Sequence, residues 1–478
     1  MAGRAEFGDD VEGVRRVTEP AGGVEAGTRR YWCAWALTGD GASAVPGTVV
    51  EVAGGRITAV GAAAEPPPGA ERLPGLAIPG LANAHSHAFH RALRGRTGER
   101  GGSFWTWRDR MYQVADRLDP DSYRRLARGV YAEMALAGIT CVGEFHYLHH
   151  GPGGVPYQDR NAMGAALVAA AADAGVRITL LDTCYLSGGL AADGRHLPLT
   201  GPQLRFGDGD VDAWARRVAD FRPHGGHART GAAVHSVRAV PADAIRRLAD
   251  TVRSPDERPV HVHLSEQPAE NAACRAAYGR TPAQLLADAG LLERARPTLV
   301  HATHLTAEDA ALITGAAARV CLCPTTEADL ADGCPPLDLL DGTELVLGSD
   351  GHSTIDMFAE ARGVEAHERL RTGRRGHVPA GRLLGALHRP GHAALGWPDA
   401  GAIAPGARAD LVVLDLDSVR LAGLDPARAA DGVVAAATAA DVRHVMADGR
   451  WIVRDGRHQA IPDAGARLDA EIRALTSG

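Results

Sequence analysis

The stretch Leu76-Ala-Ile-Pro-Gly-Leu-Ala-Asn-Ala-His85-Ser-His87 decides the fold. An apolar run, interrupted by Pro79 and Gly80, ends in two histidines one residue apart. Side chains at i and i+2 of a strand share a face, so at a strand end both imidazoles point the same way, as two ligands of one metal would. In a chain with 21 histidines a lone His-x-His also arises by chance, and the rest of the sequence has to weigh the two readings.

Outward from this stretch, residues 76–395 alternate short apolar strands with helical patterns, the mark of parallel βαβ units. Eight strand candidates end at His85-Ser-His87 and at residues 139–145, 177–182, 231–235, 260–263, 298–301, 319–324 and 344–350. A helix over residues 120–137 shows the intervening type, with Leu126, Val130 and Met134 on one face and Gly138 as its stop. Eight such repeats close naturally into a (β/α)8 TIM-like barrel. Short β-like runs from Tyr31 to Leu73 return near the C-terminus at residues 409–414, 442–447 and 451–454, the last two joined by the hairpin signal Asp448-Gly449. The expected class is therefore α/β, a barrel over 76–402 with a small β-sandwich domain from both chain ends, 29–75 and 403–460. Residues 1–28 read as a tail and 461–478 as a C-terminal helix or tail. Residues 188–209, Gly-rich after the third strand, read either as a lid or as an ordinary surface loop.

A chain of 478 residues accommodates such a barrel with an appended module. Its net charge of −7 gives no reason to expect nucleic acid or an anionic membrane as partner. No apolar run reaches the roughly 18 residues of a membrane span, and the N-terminus lacks the apolar core of a secretory signal. The seven cysteines form no C-x-x-C pair and read as reduced thiols of a cytoplasmic protein. All 51 basic residues are arginine. Schiff-base chemistry, a phosphate-loop lysine and a carboxylated lysine bridging two metals are thereby excluded, leaving His, carboxylates, Arg, hydroxyls and thiols.

Barrel active sites sit at the C-terminal strand ends, and polar residues collect there. His85 and His87 end the first strand, Glu144, His146 and Tyr147 the second, and His235 and Arg238 the fourth. His263 and Glu266 follow on the fifth, His301 on the sixth and Asp350 on the eighth. His85, His87, His263 and Asp350 are assigned as ligands, since three imidazoles and a carboxylate leave room for water at one catalytic divalent ion such as Zn2+. His261 shares a face with His263, so spacing alone does not choose between them. His263 is preferred because it lies nearer the strand end, with Glu266 three residues on. Glu266 is assigned to take a proton from water and hand it to a leaving nitrogen, with His301 and Asp350 orienting the attacking oxygen. His304 reads as a wall residue.

These residues carry a family resemblance. His85-Ser-His87, His263-Leu-Ser-Glu266, His301 and Gly348-Ser-Asp350, with split β segments at both ends, resemble the mononuclear deaminase branch of the amidohydrolase superfamily. More narrowly, several runs resemble the formimidoylglutamate deiminase family. They are His85-Ser-His-Ala-Phe89, Ser103-Phe-Trp-Thr-Trp-Arg108 with Met111-Tyr112, Glu144-Phe-His-Tyr147, His235-Ser-Val-Arg238 and Cys323-Pro-Thr-Thr-Glu327. The resemblance implies deimination of N-formimino-L-glutamate, with Arg108 and Arg238 clamping its carboxylates and Tyr147 and His235 making further contacts. It also implies a small acidic amidine as partner and a homodimer. Where that family usually has Gln, this chain has His90, which is expected to touch the substrate. The rival readings are an aminohydrolase of a guanine- or triazine-like heterocycle, which needs no pair of carboxylate clamps, or of another glutamate derivative, and a catalytically silent barrel, which has no reason to keep buried ionisable groups.

Overall fold

The structure, a computed structural model, describes residues 27–38, 43–98, 102–191, 193–252 and 258–476. The tail expected at 1–28 lies outside these except for its last two residues. Eight parallel strands make the barrel: β1 (Leu81–Ser86), β2 (Ile139–His146), β3 (Arg177–Cys184), β4 (Ala228–Val234), β5 (Val260–Leu264), β6 (Thr298–His301), β7 (Arg319–Leu322) and β8 (Glu344–Leu347). They pair in chain order. Every expected strand is present, although β7 stops at Leu322 because Pro324 opens a short helix.

The ring closes between β8 and β1 through a parallel bridge of Ser86 with Asp350. Asp350 donates its amide to the His85 carbonyl at 3.0 Å, and His87 donates to Asp350 at 3.3 Å. Asn83 and Ser349 exchange two more hydrogen bonds, of 2.7 and 3.0 Å. The approach is tight enough that a Cβ on Gly348 would lie 2.7 Å from the His85 Cβ, which requires glycine there.

The opening stretch of the sequence changes sheets midway. Glu71–Pro79 is a strand of a second, mixed sheet, and β1 begins two residues later. Gly80 makes the hand-over possible, since a Cβ there would meet Thr140 Oγ1 at 2.5 Å. The second sheet combines Arg29–Ala36, Val45–Ala53, Arg56–Ala62 and Glu71–Pro79 with Leu411–Leu414, Val442–Ala447, Arg450–Arg454 and Arg457–His458. Asp448 and Gly449 turn its C-terminal hairpin, both at positive φ, the geometry that Asp-Gly favours. Arg177, at the start of β3, is buried and paired with the equally buried Asp410 beneath the sheet, and reaches Asp448 at 3.1 Å.

Two helices after β1 matter to the site. α1 (Phe104–Asp116) carries the aromatic run, and α2 (Pro120–Leu136) packs Leu126, Val130 and Met134 inward as its periodicity predicts. Pro120 sits in the first turn of α2 behind the Asp119 cap. α3 (Pro268–Tyr278) follows β5. All seven cysteines are free, and no described helix is long and apolar enough to cross a membrane.

Candidate active site

The C-terminal strand ends open into a cavity of about 560 Å³. At its floor the imidazoles of His85, His87 and His263 converge, with one nitrogen of each within 4.8 Å of the others. His85 Nε2 lies 3.1 Å from His263 Nε2, and Asp350 Oδ1 lies 3.4 Å from His85 Nε2 and 3.3 Å from His87 Nε2. The His87 Nδ1–H donates to the Phe145 carbonyl at 2.9 Å, which leaves its Nε2 as a bare lone pair aimed at the cluster. Burial pulls the His85 and His263 pKa values well below the usual range and that of His87 to about 3. Three neutral imidazoles around one carboxylate are the donor set that a divalent cation takes, so the residues fit such an ion. His261 points elsewhere, its Nε2 3.1 Å from the Ala394 carbonyl in the barrel interior, and His304 meets the Asp332 carbonyl at 2.9 Å.

Backbone strain concentrates at this floor. Ser265, His301, Ala302, Asp350 and His352 all have φ between 40° and 70°, unusual for residues with a side chain. The turns at the ends of β5, β6 and β8 thus aim Glu266, His301 and Asp350 into the cavity. His301 Nε2 lies 3.7 Å from both Glu266 Oε1 and Asp350 Oδ2, while its Nδ1 faces Glu327 Oε1 at 3.3 Å. Burial alone would lower the His301 pKa, but the Glu327 hydrogen bond and the Glu266 and Asp350 charges raise it well above the usual range.

The cavity wall is aromatic and cationic. Arg108 stacks on Trp105, 4.6 Å to the ring centroid, and lies 5.5 Å from that of Tyr112. Its buried Nε has no hydrogen-bond partner, and no carboxylate pairs with it among the described residues. Arg238 donates from Nη2 to Glu266 at 2.6 Å, and its Nε faces Glu270 Oε2 at 3.2 Å. Burial lowers the Arg238 pKa, but Glu270 and Glu266 more than reverse this and keep the guanidinium charged. Tyr147 and His90 are bonded to each other at 2.9 Å, and the His235 ring packs 4.4 Å from that of Tyr185. Every residue assigned as ligand, proton carrier or substrate contact lines this cavity except His85, which lies fully buried; the strand-end residues Glu144 and His146 are buried and do not line it. Part of 188–209 forms a wall, where a short hairpin (Gly189–Leu190 with His196–Leu197) presents Leu190 and Leu197.

Across residues 76–452 the chain matches the family model described as the amidohydrolase family. The chain belongs to the amidohydrolase family. The formimidoylglutamate deiminase of Pseudomonas aeruginosa is 38% identical over 405 residues, spanning 82% of this chain and 87% of that protein. The crystal structure of an amidohydrolase from Brucella melitensis superposes with a TM-score of 0.82 at 30% identity, covering 94% of this chain and all of the other. A zinc-bound adenosine deaminase from Xanthomonas campestris shares the fold, with a TM-score of 0.76 at 23% identity over 93% of this chain and 97% of that one. This amidohydrolase is a hydrolase of C–N bonds with a divalent-metal site.

Three carboxylates received no role from the sequence, although Glu144 was marked as a strand-end residue and Glu327 lay in a family-like run. Glu270 lies in the first turn of α3, whereas Glu266 precedes that helix, so no helical spacing links the two. Glu327, inside the run Cys323-Pro-Thr-Thr-Glu327, orients His301. Glu144 accepts from Ser86 Oγ at 2.9 Å and the Ala88 amide at 2.7 Å, bracing the turn that carries His87. Burial pushes its carboxyl up to about 7 despite those bonds.

Proposed function

We propose that the chain hydrolyses N-formimino-L-glutamate to N-formyl-L-glutamate and ammonia. The observation that carries this is Arg108, a cation stacked on aromatic rings and facing the cavity, with no carboxylate partner among the described residues. An unpaired guanidinium beside a floor of neutral imidazoles suits an acidic ligand better than a neutral ring. The likeness to the Pseudomonas aeruginosa formimidoylglutamate deiminase supports the same substrate.

In this reading His85, His87, His263 and Asp350 hold one Zn2+ per chain, which when bound supplies a Lewis acid that acidifies water. Arg108 and Arg238 take the two substrate carboxylates and bring the amidine carbon over the floor. Tyr147, His90 and His235 line the space between. Water adds to the amidine carbon, and Glu266 accepts its proton at a carboxylate oxygen. The same proton passes to the departing nitrogen as the C–N bond breaks, and water's second proton leaves the new carbonyl oxygen for the released ammonia, so water and amidinium become a formamide and ammonium. His301, held by Glu327, lies beside Glu266 and Asp350 and orients the attacking oxygen.

The test measures bound metal and ammonia release from N-formimino-L-glutamate, a neutral alkylformamidine, guanine and a triazine. Close to one zinc per chain and strong preference for the diacid are expected. Preference for either heterocycle would overturn the reading.

A further inference from the structure

The Arg238 side chain serves two carboxylates at once, and they are not equivalent. Glu270 is fully buried at the start of α3, with Oε1 accepting the Ser265 amide at 3.2 Å and Oε2 facing Arg238 Nε at 3.2 Å. Glu266 sits at the cavity surface and grips the distal end of the same guanidinium, Nη2, at 2.6 Å. In the reading above, that end is the one the substrate carboxylate takes. One cation between two carboxylates has a net charge of −1, a poor receptor for an incoming anion.

We propose that Glu270 is a positioning residue that holds Arg238 by its inner edge, while the outer edge exchanges Glu266 for the substrate carboxylate. The exchange rests on the reading above, in which Arg238 meets substrate and Glu266 carries the proton. Before binding, Arg238 ties up the Glu266 oxygen. The arriving carboxylate takes over Nη2, and Glu266 is released as a free acceptor for the proton that the attacking water gives up. Charge stays balanced, because the guanidinium keeps two carboxylate partners and Glu266 becomes neutral as it accepts that proton. A ligand without a carboxylate leaves Glu266 clamped, so specificity is built into the proton shuttle as well as into binding. Phe104, its ring centroid 5.6 Å from the Arg238 guanidinium, limits where that group can swing.

The experiment uses the metal-loaded full chain and a neutral alkylformamidine, with propionate supplied separately. In the wild type, propionate in the tens of millimolar should raise turnover of the neutral amidine at least threefold, an activation absent in Arg238→Met. Inhibition alone, or no effect, rejects the exchange. Glu270→Gln should raise KM for N-formimino-L-glutamate and the inhibition constant of glutarate at least tenfold. Its kcat/KM on the neutral amidine should stay within threefold of wild type, and Glu270→Asp should recover part of the loss. Equal losses on both substrates would make Glu270 a purely structural residue and overturn its positioning role. Should Glu270→Gln fail to fold, the propionate measurement on the wild type decides alone. Wild type that does not turn over N-formimino-L-glutamate would refute the underlying function, whereas turnover without propionate activation refutes only the exchange.

Discussion

Replacing Arg108 by Met removes one charge while keeping an unbranched side chain against Trp105 and Tyr112. The guanidinium is half-buried and, among the described residues, has no carboxylate to leave stranded, so the loss reports on the ligand. A hydrogen bond to a charged group contributes about 1.5–3 kcal/mol net. At about 1.4 kcal/mol per decade that is a fall of roughly 10- to 150-fold in kcat/KM on the diacid amidine. Partial exposure favours the lower half of that range. The assay compares initial rates of ammonia release from N-formimino-L-glutamate and from a neutral alkylformamidine, with metal content measured on the same samples. Metal should be unchanged and the neutral substrate should lose less than threefold. Equal losses on both substrates would show that Arg108 supports the wall of the site and does not clamp a carboxylate.

His263→Ala should lose most of its metal, whereas His261→Ala, which removes a ring bonded to the Ala394 carbonyl, should retain it. Elemental analysis separates them, and the reverse pattern would overturn the ligand assignment. Glu266→Gln should keep its metal while kcat drops by roughly 10² to 10⁴; near wild-type turnover would exclude it as the proton carrier. Arg177→Met strands the buried Asp410 between barrel and second sheet and should cost about 3–5 kcal/mol in urea unfolding. A loss below 1 kcal/mol would mean that Asp410 finds another partner or water.

The barrel was legible because most strands end in a residue whose polarity the apolar run does not explain. His85, His235, His263, His301 and Asp350 each mark where a strand stops and a site begins. The alternation of strand side chains also explains why His261 and His263 were indistinguishable by pattern: both face the barrel interior, at different heights. Glu270 and Glu327 were not readable as site residues, because a carboxylate on a helix looks the same whether it faces solvent or a buried cation. The sheet change at Pro79-Gly80 is likewise hidden in one continuous apolar run, since both of its halves are fully buried. The partnership of Arg238 with Glu266 joins residues 28 positions apart through the meeting of β4 and β5, which local spacing does not report.

The bridge between Ser86 and Asp350 is the seam of a hoop. Seven of the eight strand junctions are ordinary ladders; the eighth is riveted by residues that also form the floor of the cavity. A cation gripped by His85 and His87 on one lip and Asp350 on the other would work as a clasp on that hoop. Its binding would add about 2.7 kcal/mol to the closed ring at a hundredfold excess over Kd. Metal supply would then govern how long the barrel stays shut as well as how fast it turns over substrate, and a chelator would act first on the seam.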